Sequence, residues 1–179
     1  MAGHQHQGDE YGGGHGHGGH SPDGMDWDAA LARLRANDDL LRDEWDKLAQ
    51  RLVQTQTRVV LEVGSGAGGM SAAFAGALAG TGGTVVLIDS APELLAAAQA
   101  RARAAAPAQV QVRVVQADAD SDELVDLVPQ ADLVFASFVL HHLSDQQRGL
   151  NRLAKLLNPG GRLAVVESGL EERNLPWDL

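Results

Sequence analysis

Cysteine is absent from the 179 residues, and its absence excludes disulfides, thiolate metal centres and cysteine nucleophiles. Basic side chains are outnumbered, 14 against 24 acidic ones, for a formal net charge of -10. An affinity built on neutralising phosphates is therefore not expected, and nucleic acid is set aside as a partner. The chain opens without a basic stretch followed by an apolar core, so no secretory signal is read and a cytoplasmic location is the default expectation. No charged residue lies between Glu62 and Asp89. Glycines, serine and threonines interrupt that interval, however, and it reads as a soluble strand, turn and helix, not as a membrane span. The length suits one domain with a sizeable core.

What is present falls into three parts. Residues 1–24 are glycine- and histidine-rich with almost no apolar side chains, and such a segment cannot offset its ordering entropy; it is expected to be a disordered tail. His4, His6, His15, His17 and His20 lie in it at a spacing that loosely suits a divalent metal; adventitious affinity of a solvated tail is the expectation, with metal handling as the alternative. Residues 25–56 carry Trp27, Leu31, Leu34, Leu41, Trp45, Leu48 and Leu52 at spacings near three and four, which predicts a helical cap of one long or two short amphipathic helices. Residues 57–179 alternate short apolar runs with helical stretches. Strands are predicted at 58–63, 84–89, 111–116, 131–137 and 162–167. Helices open at two capping boxes, Ser90 with Glu93 and Ser144 with Gln147, and stop at Pro107 and at the Asn158-Pro159-Gly160-Gly161 turn. This alternation calls for an α/β fold, a parallel sheet covered on both faces.

The stretch "VVLEVGSGAGGMSAAF", Val59 to Phe74, joins the first strand to the first helix of that alternation. Gly64, Gly66 and Gly68 permit tight turning and close approach of backbone to a ligand, and the helix start presents unpaired N–H groups. Gly64, Gly66 and Gly69 also satisfy the dinucleotide spacing G-x-G-x-x-G, a weak signal alone. Asp89 ends the second strand about 20 residues on, where a carboxylate accepts ribose hydroxyl protons. Glu62 immediately precedes the glycines, an awkward charge for a diphosphate and a favourable one for a cation. S-adenosylmethionine (SAM) carries an ammonium and a sulfonium and no phosphate. Asp118, after the third strand, is suited to accept from an adenine amino group, with capping of its own turn as the bland alternative.

The motifs "LEVGSGAGG", "VVLIDSAPELL", "VVQADAD", "ADLVFASFVLHHL" and "LNPGGRLAVVES" stand in one order, and the chain resembles the class I SAM-dependent methyltransferases over roughly residues 58–168. The resemblance implies a Rossmann-like three-layer sandwich with a mainly parallel sheet. It implies that Gly64, Ser65, Gly66 and Gly68 line the methionine moiety with Glu62 near its ammonium. Asp89 would hold the ribose, Ser90 would lie beside the adenine, Asp118 and Ala119 would reach its edge, and Ser137 would sit under the sulfonium. The family core continues through two more strands at an antiparallel edge, whereas only "GLEERNLPWDL" follows the fifth strand. The expected sheet therefore lacks those two strands, and the chain is either cut short or has an altered substrate side.

Methyl transfer from a sulfonium asks the protein mainly to align the acceptor and exclude water. A hydroxyl or protonated amine acceptor must still lose a proton, and His141 or His142, after the fourth strand, suits that task, with structural packing as the alternative. Neighbouring residues at a strand end diverge, so the two histidines are expected to act unequally, His141 slightly favoured. The segment after the fourth strand lacks the Asn/Asp-Pro-Pro-aromatic motif of nucleobase amino-methyltransferases. A small-molecule acceptor is the expectation. The competing readings are an NAD-dependent oxidoreductase, sharing the glycine loop and Asp89, and a non-catalytic SAM-binding module.

Overall fold

The computed structural model describes residues 25–167; the histidine-rich segment and "GLEERNLPWDL" lie outside them, as do the expectations attached to both. Five strands, β1 (Val59–Val63), β2 (Thr84–Asp89), β3 (Gln111–Gln116), β4 (Ala131–Ser137) and β5 (Leu157–Val166), form one sheet. Its order is β3-β2-β1-β4-β5 and every pairing is parallel. The chain runs outward from β1 in one direction and from β4 in the other, so the topological switch point lies between these two central strands.

Side-chain alternation along the strands makes two cores. Val60, Val85, Leu87, Leu133 and Phe135 face helices α2 (Arg42–Leu52), α3 (Gly69–Ala77) and α4 (Pro92–Ala105). Leu61, Val63, Val86, Ile88, Val134 and Ala136 face α5 (Leu124–Leu127) and α6 (Gln146–Lys155). The result is a three-layer α/β sandwich. Phe74 of α3 meets Phe135 of β4 edge to face at 5.2 Å between centroids, a favourable aromatic arrangement, in a core that also takes Trp45 of α2.

The predicted cap resolves into two helices, α1 (Trp27–Leu40) and α2, breaking at Leu41. Asp26 caps α1 by accepting from the Ala29 N–H at 3.0 Å. α2 buries Trp45 and Ala49, while α1 buries no residue. Both predicted capping boxes are displaced by one residue. Ala91 stands at the N-cap of α4 with Pro92 as first helical residue, and Asp145, not Ser144, caps α6 by accepting from the Arg148 N–H at 2.9 Å. Proline fixes φ for a first helical position, which moves the cap off Ser90. Pairing of β5 begins at Leu157 opposite Ala131, and Leu133 next faces Arg162. The Asn158–Pro159–Gly160–Gly161 turn is thus a bulge inside the strand and not a stop before it. No helix among the described residues is long and apolar enough to cross a membrane.

Candidate functional site

The carboxyl ends of β1 to β4 open into one cavity of about 530 Å³, at the switch point where open α/β sheets take ligands. Glu62, Gly64, Ser65 and Gly66 line it from β1 and the loop that follows, Asp89 and Ser90 from β2, Asp118 and Ala119 from β3, and Ser137, His141 and His142 from β4. Gly68 is the one expected site residue that does not. Its φ is +87°, and a Cβ there would fall 2.5 Å from the Ala98 Cα. Its glycine identity is therefore set by left-handed backbone and by α3 lying close on α4, which spacing alone does not distinguish from ligand approach. Gly66 differs: at φ +51° a Cβ would meet nothing within 4 Å, so the space beside it is open on the cavity side.

Asp89 ties two loops together. Its Oδ2 accepts from the Gly66 N–H at 3.0 Å and its Oδ1 from the Ala91 N–H at 3.1 Å. Asp118 accepts from the Asp120 N–H at 2.8 Å, so it closes its own turn while lining the cavity. That turn is held from beneath by Arg152 of α6, a buried cation whose Nη1 donates to the Ala119 carbonyl at 2.9 Å and whose Nη2 donates to Asp122 at 2.8 Å. Ser144 N–H donates to Asp120 at 2.9 Å, coupling the segment after β4 to the loop after β3.

Carboxyl groups crowd the glycine loop. Glu62 is 3% exposed and accepts a hydrogen bond from the Ser71 hydroxyl at 2.5 Å. Burial pushes its pKa up to about 8, against the Ser71 bond, and the nearby Asp38 and Asp89 push the same way as burial. Asp38, on α1, is raised by its partial burial although its Oδ2 accepts from Arg101 at 3.0 Å and from the Gly69 N–H at 2.8 Å. Asp38 thus occupies the start of α3, the position a diphosphate takes in a dinucleotide site. The amphipathic spacing that predicts the cap carries no signal for Asp38.

The sign of the Glu62 effect is fixed. Its folded value of about 8 exceeds the ordinary 4.5, so the folded chain holds more protons between those values. The stability this group contributes is complete below pH 4.5 and is lost as pH rises through about 8. Glu62→Gln removes that titration. Between about pH 5 and about pH 9 the variant should gain on the order of 2 to 4 kcal/mol relative to the natural chain, read as urea midpoints in the two buffers. Parallel pH profiles for the two proteins would contradict a buried carboxyl with a raised pKa.

On the β4 side the chain turns through a short 3-10 segment, Leu140–His142. His141 Nδ1 lies 2.9 Å from Glu167 Oε2, and Glu167 Oε1 accepts from the Leu140 N–H at 2.6 Å. The Glu167 side chain is 2% exposed and that of His141 38%. Against a carboxylate, Nδ1 is the donor, which leaves Nε2 as the basic atom of the neutral ring. The expected divergence of the two histidines is not found: their rings lie 3.9 Å apart between centroids, tilted by 43°. A 3-10 turn, not a strand end, sets their directions. Glu167 entered the sequence reading only as the last residue of a strand. The available signal was its level in the sheet, a carboxylate at the end of β5 alongside the ends of β1, β2 and β4.

Three buried side-chain polar atoms among the described residues have no hydrogen-bond partner: Trp45 Nε1, Ser65 Oγ and Ser137 Oγ. Trp45 Nε1 favours the Asp38 carboxylate without reaching hydrogen-bond geometry. All three residues line this cavity. Buried polar atoms left unpaired are costly, and a ligand with its own donors and acceptors would satisfy them. Together with the space beside Gly66 and the crowded carboxyls, they fit a polar ligand bearing positive charge.

A carboxyl-lined loop at the switch point separates this α/β protein from one built for a diphosphate. The chain belongs to the family described as a methyltransferase domain, whose model matches residues 61–163. A 44-residue stretch, 25% of the chain, is 48% identical to the lovastatin diketide synthase mokB of Monascus pilosus and spans 2% of that protein. The structure is similar to a SAM-dependent methyltransferase from Aquifex aeolicus, with TM-score 0.58 and 22% identity over 75% of this chain and 71% of that one. It is also similar to human N-acetylserotonin methyltransferase in complex with SAM, with TM-score 0.57 and 22% identity over 83% of this chain and 41% of that one. At these identities the structural likeness is one of fold.

Proposed function

We propose that the chain transfers a methyl group from SAM to a small-molecule acceptor, with His141 as the proton-accepting base and Glu167 as its partner. The observation that carries this reading is a single cavity lined by both the carboxyl-lined glycine loop and His141, whose ring Glu167 holds at Nδ1. The cofactor is SAM, which supplies when bound a methyl group already activated on sulfur. Glu62 and Asp38 provide carboxyl groups for a cationic end, Ser65 and Ser137 bring unpaired hydroxyls, and Asp89 and Asp118 take the ribose and adenine roles that the family resemblance implies. His141 Nε2 takes the acceptor's proton, and Glu167 fixes the tautomer and stabilises the charged ring. The carboxylate of Asp38 at the start of α3 counts against the dinucleotide alternative.

The test is release of S-adenosylhomocysteine by the full chain with SAM and a panel of small oxygen, nitrogen and carbon-acid acceptors, with duplex DNA and RNA alongside. Acceptor-dependent release with a member of the small-molecule set is the expected result. Release only with nucleic acid would contradict the acceptor class.

A further inference from the structure

Phe138 follows Ser137 at the end of β4 and has φ +55°, the one positive φ of a non-glycine residue among the described residues. Glycine and asparagine adopt this backbone readily, and a bulky aromatic residue avoids it. The turn itself has a clear purpose. The Phe138 N–H donates to the Val166 carbonyl at 2.8 Å, and three residues later His141 meets Glu167. Any residue tolerant of the left-handed region would deliver that turn with less strain, so the turn explains the backbone and leaves the ring unexplained.

Packing does not explain the ring either. Phe138 is 38% exposed and belongs to neither hydrophobic core, yet it lines the cavity. Strain retained at a cavity wall is a sign of function. The sheet order divides the cavity walls. Asp89 and Asp118 close β2 and β3, on one side of β1, whereas Phe138 and Glu167 close β4 and β5 on the other. Asp89 and Asp118 are therefore separated from Phe138 by the central strand, and Phe138 belongs to the wall that carries His141. Of the seven aromatic residues in the chain, Trp27, Trp45 and Phe138 line this one cavity.

Resting on the methyltransferase reading above, we infer that Phe138 recognises the acceptor, and that the acceptor is a flat unsaturated ring stacked on the Phe138 face beside His141. An aromatic face rewards a flat π-system over a saturated ring of the same size, through offset or edge-to-face contact. The residue's role is specificity; the proton is still taken by His141.

The experiment uses the full chain saturated with S-adenosylhomocysteine and three ring pairs: catechol with cyclohexane-1,2-diol, indole with octahydroindole, and 2-naphthol with decahydro-2-naphthol. Binding is read by saturation-transfer NMR. At least one unsaturated member should bind in preference to its saturated counterpart. Phe138→Asn should weaken that binding about tenfold or more, while Phe138→Tyr retains it. Because asparagine suits the left-handed backbone, Phe138→Asn should keep S-adenosylhomocysteine affinity within about threefold and leave the thermal midpoint equal or higher. Equal binding of saturated and unsaturated rings, or ring binding untouched by Phe138→Asn, would overturn the inference. A lowered midpoint in Phe138→Asn would assign the ring to packing and overturn it as well. Failure of the natural chain to bind S-adenosylhomocysteine would instead overturn the methyltransferase reading beneath it.

Discussion

Replacing His141 by alanine should lower turnover by about 100- to 10,000-fold while SAM affinity stays nearly unchanged, and should flatten the acidic limb of the pH–rate profile. The reason lies in the division of the cavity. His141 stands after β4, and its held atom is Nδ1, 2.9 Å from Glu167, so the substitution removes a base without touching the glycine loop. Glu167→Gln separates positioning from proton transfer. Glutamine still offers an oxygen to the Leu140 N–H, but it no longer anchors Nδ1–H with a charge, and turnover should fall by about 10- to 100-fold with the acidic limb retained. Glu167 holds His141 and not His142 by hydrogen bond, and His142→Ala should cost less than either. The measurement is steady-state turnover on one identified acceptor, beside thermal midpoints for each variant. Full activity in His141→Ala would remove the base assignment, and a parallel fall of activity and midpoint would make the pair structural.

The second large effect falls on binding. Asp89→Ala should weaken SAM binding by about 30- to 1000-fold, the value of a charge-assisted pair of ribose hydrogen bonds worth on the order of 2 to 4 kcal/mol. The structure adds a second route to the same loss. Both Asp89 oxygens already accept backbone N–H groups, from Gly66 and from Ala91, so the carboxylate also fixes the loops that shape the cavity. Asp89→Asn should therefore fall between the natural chain and Asp89→Ala, because one amide oxygen replaces two acceptors. Calorimetric titration of the three proteins ranks them. Unchanged affinity in Asp89→Ala would take this residue out of the site.

β2, β3 and β4 were legible to the residue: β2 is a buried β-branched run, β4 a buried apolar one, and β3 intersperses valines with polar residues, each set off by glycine, proline or polar turn residues. β5 was not, because Pro159 and the glycine pair read as a stop while Leu157 already pairs with Ala131. A bulge looks the same as a turn until the partner strand is known. The glycine loop, Asp89 and Asp118 sit at strand ends on one edge of the sheet, a position that alternating strands and helices dictate, and so they were readable as a set. Asp38, Arg152 and Glu167 were not. Their contacts join residues 31, 33 and 26 positions apart, and each carries its role through what the tertiary fold brings to it, not through any local spacing. The tandem histidines show the converse: local reasoning assigned them to a strand end, and the 3-10 turn reversed the conclusion about their rings.

The most direct measurement of the central claim is calorimetric titration of the full chain with SAM and, separately, with NAD, repeated near pH 8 in two buffers of different ionisation enthalpy. The carboxyl-lined loop predicts saturable binding of SAM at one site and none of NAD. It also predicts a buffer-dependent heat from proton release, because a cation bound beside Glu62 draws off the proton that its pKa of about 8 allows it to hold. Binding of NAD in place of SAM, or SAM binding with no proton released, would contradict it.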